Sequence, residues 1–229
     1  MLVVDGADIC RAPIAEFVLG SWFTDSGWLP DAEIVSRGLT AEGNATMCDA
    51  AASRIGHSGP AIGFYGRHRA QPLRASDVAQ AHLILTAERQ HRSAIVRMVP
   101  GTQAKVFTWK EALNLAPAAV DRVRLGAAES PTEVEGVARL LHATRGSIPF
   151  LEPAVHTAAF HWRRRPEPQD PLTIRDGHDV AELHLKTVSE SLDVSERLGR
   201  ALVDLASAVA LPQSEPKTAQ AGWLWRRGA

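Results

Sequence analysis

Residues 2–16 read Leu-Val-Val-Asp-Gly-Ala-Asp-Ile-Cys-Arg-Ala-Pro-Ile-Ala-Glu, and this stretch decides the fold. Leu2–Val4 is short, apolar and β-branched, which is typical of a buried strand in a parallel sheet. Pro13 is favourable in the first turn of a helix. Apolar residues then follow at helical spacing, at Ile14, Phe17, Val18 and Trp22. The chain therefore opens as a strand, a loop and a helix.

The rest of the chain alternates between strand and helix patterns. Further strands are predicted at residues 33–37, 82–86 and 106–108, and helices at 47–55, from Ser76-Asp77 onward and at 88–99. Residues 56–66 are rich in glycine and predict a loop. A long apolar stripe predicts a helix at about 178–209, through Val180, Leu183, Val188, Leu192, Ser195, Leu198, Leu202, Leu205 and Val209. Alternating strands and helices predict an α/β fold with a parallel sheet.

Length and pattern predict a single domain over residues 1–210. Between residues 116 and 168 the periodicity weakens, which indicates an inserted helical or loop segment, and Thr132 with Glu135 resembles a capping box there. Residues 211–229 form a polar C-terminal tail that ends near Trp223 and Trp225. We expect these tryptophans to dock against the protein.

Composition excludes several classes of protein. The 229 residues carry 25 Lys and Arg against 26 Asp and Glu, a net charge of −1, so nothing in the charge indicates a nucleic-acid surface. With 45% hydrophobic residues the chain is typical of a globular protein. The apolar stretches fall short of the roughly 20 residues that span a membrane, and the start lacks a basic signal region. We therefore expect a cytoplasmic protein without membrane contact.

Cysteine and histidine spacing predicts no metal site and no cofactor. Cys10 and Cys48 are the only cysteines, too few for a disulfide scaffold or a multi-cysteine zinc site. The pairs His156/His161 and His178/His184 both miss the i, i+4 spacing that puts two ligands on one helix face. Solvated or core histidines are the simpler interpretation.

The loop between the first strand and helix is a natural anion site, because unpaired N–H groups and the helix dipole meet there. Arg11 can present a bidentate fork to a phosphate, although a solvated surface charge is the simpler interpretation of that residue.

Residues 4–16 resemble the signature of the low-molecular-weight protein-tyrosine phosphatases, Val-Cys-x-Gly-Asn-x-Cys-Arg-Ser-Pro-Met-Ala-Glu, and the related arsenate reductases share a similar loop. The resemblance covers residues 1 to about 110 and 168–210. The longer segment between these ranges resembles that of the extended actinobacterial members of the family, and the resemblance implies a three-layer fold with a four-stranded parallel sheet flanked by helices.

Other stretches match the same family. Ser36, in Val-Ser-Arg-Gly-Leu, and His68, in Gly-Arg-His-Arg-Ala, resemble residues that support the phosphate loop. Asp170, in Asp-Pro-Leu, resembles the general acid, although an Asp before Pro is also a common turn former. The family usually has an aromatic residue where Leu172 stands. The implied phosphate loop is Asp5, Gly6, Ala7, Asp8, Ile9, Cys10, Arg11 and Ala12.

The departures from the family bear directly on function. Asp5 stands at the nucleophilic cysteine and Ala12 at the serine that stabilises the thiolate. Ala7 replaces the loop glycine and Asp8 the asparagine that pins the loop, whereas Cys10, Arg11 and Pro13 are retained. A carboxylate at position 5 occupies the place of the phosphate, either as an ion pair with Arg11 or by accepting loop N–H groups itself.

Three functional hypotheses follow. The first is an inactive or impaired relative, a pseudophosphatase that binds an anion, a phosphoprotein or another protein. The second is an active phosphomonoesterase or arsenate-reductase-like enzyme that uses Asp5 or another non-standard nucleophile, since aspartate accepts phosphoryl groups in other folds. The third is a purely structural or partner-binding module.

Overall fold

Four short parallel strands form the central sheet in the computed structural model, which describes residues 1–28, 32–147, 170–178 and 180–209. The strands lie in the order β2-β1-β3-β4. Leu2 is in register with Val35 of β2 and with Ile84 of β3. The bounds are β1 Leu2–Asp5, β2 Val35–Gly38, β3 Ile84–Thr86 and β4 Val106–Thr108. The predicted four-stranded parallel sheet is confirmed.

Helices cover both faces of the sheet, so the predicted three-layer arrangement is also confirmed. On one face Val3, Leu85 and Phe107 pack among residues of α1, α6, α7 and α8. On the other face Leu2, Val4 and Ile84 pack with residues of α4 and α5. The helices are α1 Arg11–Ser26, α2 Asp49–Ile55, α3 Gly59–Arg67, α4 Ala75–Gln80, α5 Arg89–Met98, α6 Trp109–Arg124, α7 Val134–Thr144 and α8 Ala181–Ala206.

The long C-terminal helix follows its predicted stripe in the middle and departs from it at the ends. Val188, Leu198, Leu202 and Leu205 are buried, and so is Ser195, the polar position of the stripe. Val180, Leu183 and Val209 are exposed instead. Helix α8 is three residues shorter at each end than the helix predicted at about residues 178–209.

Two helices lie where the sequence was interpreted differently. Residues 56–66 were predicted to form a loop, which is wrong: α3 begins there because the Ser58 side chain accepts the Ala61 N–H at 3.3 Å and Pro60 lies in the first turn. Helix α6 was not predicted, and it runs through the expected start of the insertion at residue 116. It begins with a complete capping box between Thr108 and Glu111.

The predicted capping box at Thr132 and Glu135 is wrong. Helix α7 has Glu133 as its N-cap, and no side chain caps it. Residues 148–169, which complete the predicted insertion, and the C-terminal tail lie outside the described residues. Among the helices of the described part, none has the length and hydrophobicity that crossing a bilayer requires.

Candidate functional site

The loop of residues 6–10 leaves the C-terminal end of β1 at the centre of the sheet and enters α1 directly. Hydrogen bonds to the segment after β2 fix its first residues: Leu39 N–H donates to the Asp5 carbonyl at 3.0 Å and Thr40 N–H to the Gly6 carbonyl at 2.8 Å. Asp8 adopts a left-handed backbone with φ of 58°, which curls the chain. The loop therefore brings backbone N–H groups to the N-terminus of α1, as the sequence predicts.

The Asp5 carboxylate fills this loop. Its Oδ1 accepts the Asp8 N–H at 2.6 Å, and its Oδ2 accepts the Ala12 N–H at 2.9 Å. The residue is only 1% exposed. Of the two roles considered for Asp5, the geometry shows acceptance of loop N–H groups rather than a direct ion pair with Arg11.

Arg11 is buried and already bonded to other groups of the protein, and it is not a solvated surface charge. It is 1% exposed. Nη1 donates to Glu88 Oε1 at 2.5 Å and to the Ile174 carbonyl at 2.7 Å, and Nη2 donates to Asp176 Oδ2 at 2.8 Å. Burial acts to lower the pKa of Arg11, but the carboxylates of Asp5, Glu88 and Asp176 outweigh it and raise that pKa. The guanidinium is thus permanently charged and held by the protein's own carboxylates.

Glu88 links this network to α5. Its Oε1 lies 3.6 Å from His91 Nε2, and its Oε2 accepts a hydrogen bond from the Gln90 amide at 2.7 Å. Burial lowers the pKa of His91, although Glu88 opposes the shift. His91 is therefore neutral at pH 7 and adds no positive charge to the site.

Ser36 and His68, which the sequence analysis predicts to support the loop, lie beside Asp8. His68 Nε2 donates to the Asp8 carbonyl at 2.7 Å, and the Gln71 N–H donates to Asp8 Oδ2 at 2.9 Å. Burial raises the pKa of Asp8 to about 6, against the lowering effects of the Ser36 hydroxyl and the Gln71 N–H. Asp8 Oδ1 and Ser36 Oγ are both buried, and neither has a hydrogen-bond partner of regular geometry within the described residues.

Asp176, and not Asp170, provides the carboxylate over the loop. Asp170 lies 3.6 Å from Arg89 Nη1 and accepts the Leu172 N–H at 3.0 Å, so it takes part in a local turn and a surface ion pair. Asp176 lies six residues later and reaches Arg11, and a Cβ built on Gly6 would be 3.7 Å from its Oδ2. Nothing in the sequence distinguished Asp176 from any other loop aspartate.

A second group of side chains lies beside the loop and was not predicted. Cys10 Sγ is 2.8 Å from Cys48 Sγ and 2.8 Å from His184 Nε2. His178 Nδ1 lies 3.6 Å from Cys10 Sγ and 3.3 Å from His184 Nε2. The hydrogen bond between the thiols, together with burial, raises the pKa of Cys10, and the same bond lowers the pKa of Cys48 to about 6. The structure thus unites histidines and cysteines that the spacing argument treated as unrelated.

Comparison with known proteins agrees with this fold. The model of the low molecular weight phosphotyrosine protein phosphatase family matches residues 1–120. The chain is similar in structure to a low molecular weight protein tyrosine phosphatase from T. tengcongensis, with a TM-score of 0.51 and 20% identity over 86% of this chain and 95% of that one. It is also similar to the arginine phosphatase YwlE from Geobacillus stearothermophilus, with a TM-score of 0.50 and 17% identity over 88% of this chain and 90% of that one.

At these identities the structural likeness shows the fold alone. No curated protein matches the sequence. The family model spans more than half of the 229 residues and includes residues 5–12. The chain therefore belongs to the low molecular weight phosphotyrosine protein phosphatase family.

Proposed function

We propose that this protein is a non-catalytic member of its family, a pseudophosphatase that binds a protein partner without phosphoryl transfer. The observation that carries the proposal is the Asp5 carboxylate on the N–H groups of Asp8 and Ala12. In the family that this chain resembles, the residue at position 5 is the thiolate nucleophile, and the loop N–H groups bind the phosphate that the thiolate attacks. A carboxylate bound to those N–H groups fills the loop as a bound anion would.

The charge around Arg11 supports the same conclusion. Glu88 and Asp176 occupy its fork, and Asp5 lies near enough to raise its pKa. Two like charges ~4 Å apart repel by about 4 kcal/mol at an effective dielectric constant of 20. A phosphate dianion meets this repulsion from several carboxylates, and only one guanidinium opposes it. The site thus favours neither turnover nor anion binding, which supports a non-catalytic role.

Cys10 does not replace the missing nucleophile in this arrangement. Its Sγ contacts Cys48, His178 and His184, whereas the Arg11 guanidinium contacts Glu88, Asp176 and the Ile174 carbonyl. The thiol and the guanidinium share no partner among these contacts. An in-line attack on a phosphate held by Arg11 needs both groups to face the same ligand.

Hydrolysis of p-nitrophenyl phosphate by the purified full-length chain tests the proposal. We expect no hydrolysis above that of the Arg11→Ala variant, and no heat of binding with phosphate or orthovanadate in calorimetry. Turnover that disappears in Arg11→Ala would overturn the proposal in favour of an active phosphatase. Tight phosphate binding without turnover would instead favour an anion-binding role.

Restoring the family residues tests how much of the site survives. The double variant Asp5→Cys with Ala12→Ser recreates the nucleophile and the hydroxyl that stabilises it. We expect weak, Arg11-dependent hydrolysis that increases when Glu88→Gln is added, because that change removes one of the negative charges that oppose a phosphate beside Arg11. If all these variants stay inactive while folded, the loss extends beyond the nucleophile.

A further inference from the structure

We propose that Cys10, Cys48, His178 and His184 form a binding site for one Zn²⁺ ion. Their four ligand atoms, two sulfurs and two ring nitrogens, all lie within 4.8 Å of one another. Zn²⁺ takes four such ligands in tetrahedral geometry in structural sites. The inference is independent of the proposed function, because an active enzyme could hold the same ion.

Three of the six distances between the ligand atoms already match a zinc tetrahedron. Zn–S bonds of about 2.3 Å and Zn–N bonds of about 2.0–2.1 Å place ligand atoms about 3.8 Å apart for two sulfurs, about 3.5 Å for sulfur and nitrogen and about 3.3 Å for two nitrogens. The nitrogens are 3.3 Å apart, Cys48 Sγ is 3.5 Å from His184 Nε2, and Cys10 Sγ is 3.6 Å from His178 Nδ1.

The two distances that are too short share one atom. Cys10 Sγ is 2.8 Å from both Cys48 Sγ and His184 Nε2. A displacement of this sulfur by about 1 Å therefore opens the centre to the size that zinc requires.

Three separate segments are held in position for this cluster. Cys10 and Cys48 are the N-cap residues of α1 and α2, and the Cys48 N–H donates to the Ile9 carbonyl at 2.9 Å, which joins these two helix starts. Gly177 lies so close to α8 that a Cβ would be 2.6 Å from the Leu183 carbonyl group. This close approach brings His178 against His184, with their ring centroids 4.5 Å apart.

The donor set selects the metal. Thiolate and imidazole ligands suit Zn²⁺, whereas Mg²⁺ and Ca²⁺ prefer oxygen ligands. On binding, each cysteine thiol exchanges its S–H bond for an S–Zn bond and releases its proton to solvent, and no oxidant or reductant is needed. A disulfide between Cys10 and Cys48 would use neither histidine, so it leaves the convergence of the two rings unexplained.

Zinc at this site would link the segment of Asp176 and His178 to the loop that ends at Cys10. His178 follows Asp176 by two residues, and its N–H donates to Asp176 Oδ1 at 3.0 Å. Cys10 directly precedes Arg11, the partner of Asp176. The ion would thus hold together the two ends of the contact between Arg11 and Asp176.

Metal analysis of the untagged full-length chain, purified under reducing conditions and dialysed against zinc-free buffer, tests the inference. We expect one zinc ion per chain. The variants Cys48→Ser and His184→Asn should lose it, and His57→Asn, a change at an exposed histidine on another segment, should keep it. Replacement by Co²⁺ should give a thiolate-to-cobalt charge-transfer band and the visible absorption of a tetrahedral site.

The cobalt spectrum and a thiol count keep the test decisive if a variant fails to fold. The chain has two cysteines, so the denatured, metal-stripped protein should titrate as two free thiols. Wild-type protein that binds neither zinc nor cobalt at this site would overturn the inference. So would a thiol count of zero, which indicates a disulfide, or cobalt absorption that is unchanged by Cys48→Ser.

Discussion

The substitution Asp5→Ala should destabilise the protein, because it removes the acceptor of two buried N–H groups. These are the N–H groups of Asp8 and Ala12, which lie 2.6 and 2.9 Å from the carboxylate oxygens. Leaving one buried donor unpaired costs about 1–3 kcal/mol, and two cost about 2–6 kcal/mol. We expect a loss of about 2–4 kcal/mol, since water entering the vacated volume restores part of the bonding.

A free carboxylate should rescue this variant. If Asp5 acts as a built-in anion, formate can take its place on the same N–H groups. Formate at ten times its dissociation constant would return about 1.4 kcal/mol, by mass action on the folded state. The unfolding midpoint of Asp5→Ala should therefore rise with formate and not with chloride at equal ionic strength. The wild-type midpoint should respond to both salts alike, because its own carboxylate fills the loop.

Urea unfolding, followed by circular dichroism, measures both effects. Asp121→Ala on the exposed surface of α6 is the matched control, and a change there should stay within about 0.5 kcal/mol of wild type. Asp5→Asn should lie between wild type and Asp5→Ala, because an amide offers one acceptor oxygen for two donors. An Asp5→Ala variant as stable as Asp121→Ala, or one that formate does not stabilise, would refute the assignment of Asp5 as a bound-anion mimic.

Three further changes test the surroundings of the loop, each by urea unfolding. Asp8→Asn should stabilise the fold by about 1–2 kcal/mol, because burial disfavours the charged carboxylate and raises the pKa of Asp8 to about 6, and asparagine tolerates the φ of 58°; a loss of stability would contradict this. Gly38→Ala should destabilise the fold by about 1–3 kcal/mol, since the added Cβ would be 2.8 Å from the backbone of Gly6 and Ala7. An unchanged urea midpoint would show that the loop moves to accommodate the methyl group. His91→Gln should reduce the loss of stability between pH 7 and 5. The pKa of His91 is lowered in the fold, so protonation of this histidine favours the unfolded state. The stability that His91 contributes is therefore present above about pH 6.5 and is lost as the pH falls toward the folded-state pKa. Parallel pH profiles of wild type and His91→Gln would contradict that assignment.

The sheet and the connection from β1 to α1 could be predicted because their signals are local. Leu2–Val4 is apolar on both faces, and alternate side chains do enter the two opposite cores of the fold. Pro13 lies in the first turn of α1, and the strand, loop and helix are consecutive in the sequence. The position of Asp5 in the loop followed from the same stretch.

Helix α3 could not be found in this way because its glycines argue against a helix. Gly59 and Gly63 lower the helix propensity of the segment. The capping contact of Ser58 and the packing of Phe64 against Phe17, with ring centroids 5.4 Å apart, outweigh that cost. Tertiary contacts of this kind leave no periodic signal in the sequence.

The cluster of Cys10, Cys48, His178 and His184 escaped prediction for a different reason. Ligand spacing within one helix or hairpin can be read from a sequence, but these residues come from three segments. Cys10 and His184 are 174 residues apart in the chain and 2.8 Å apart in space. The contact depends on the docking of α8 against α1, which the apolar stripe of α8 predicts only in outline.

Asp5, Glu88 and Asp176 together change what the loop does in the fold. A loop that binds a free anion must order that ligand at an entropic cost each time it is filled. Here the carboxylate of Asp5 is attached to the end of β1, so the loop N–H groups are occupied without any ligand. Arg11 then binds Asp176 and the Ile174 carbonyl instead of a phosphate, which joins residues 174–176 to the loop. The position of this segment should consequently be independent of phosphate concentration.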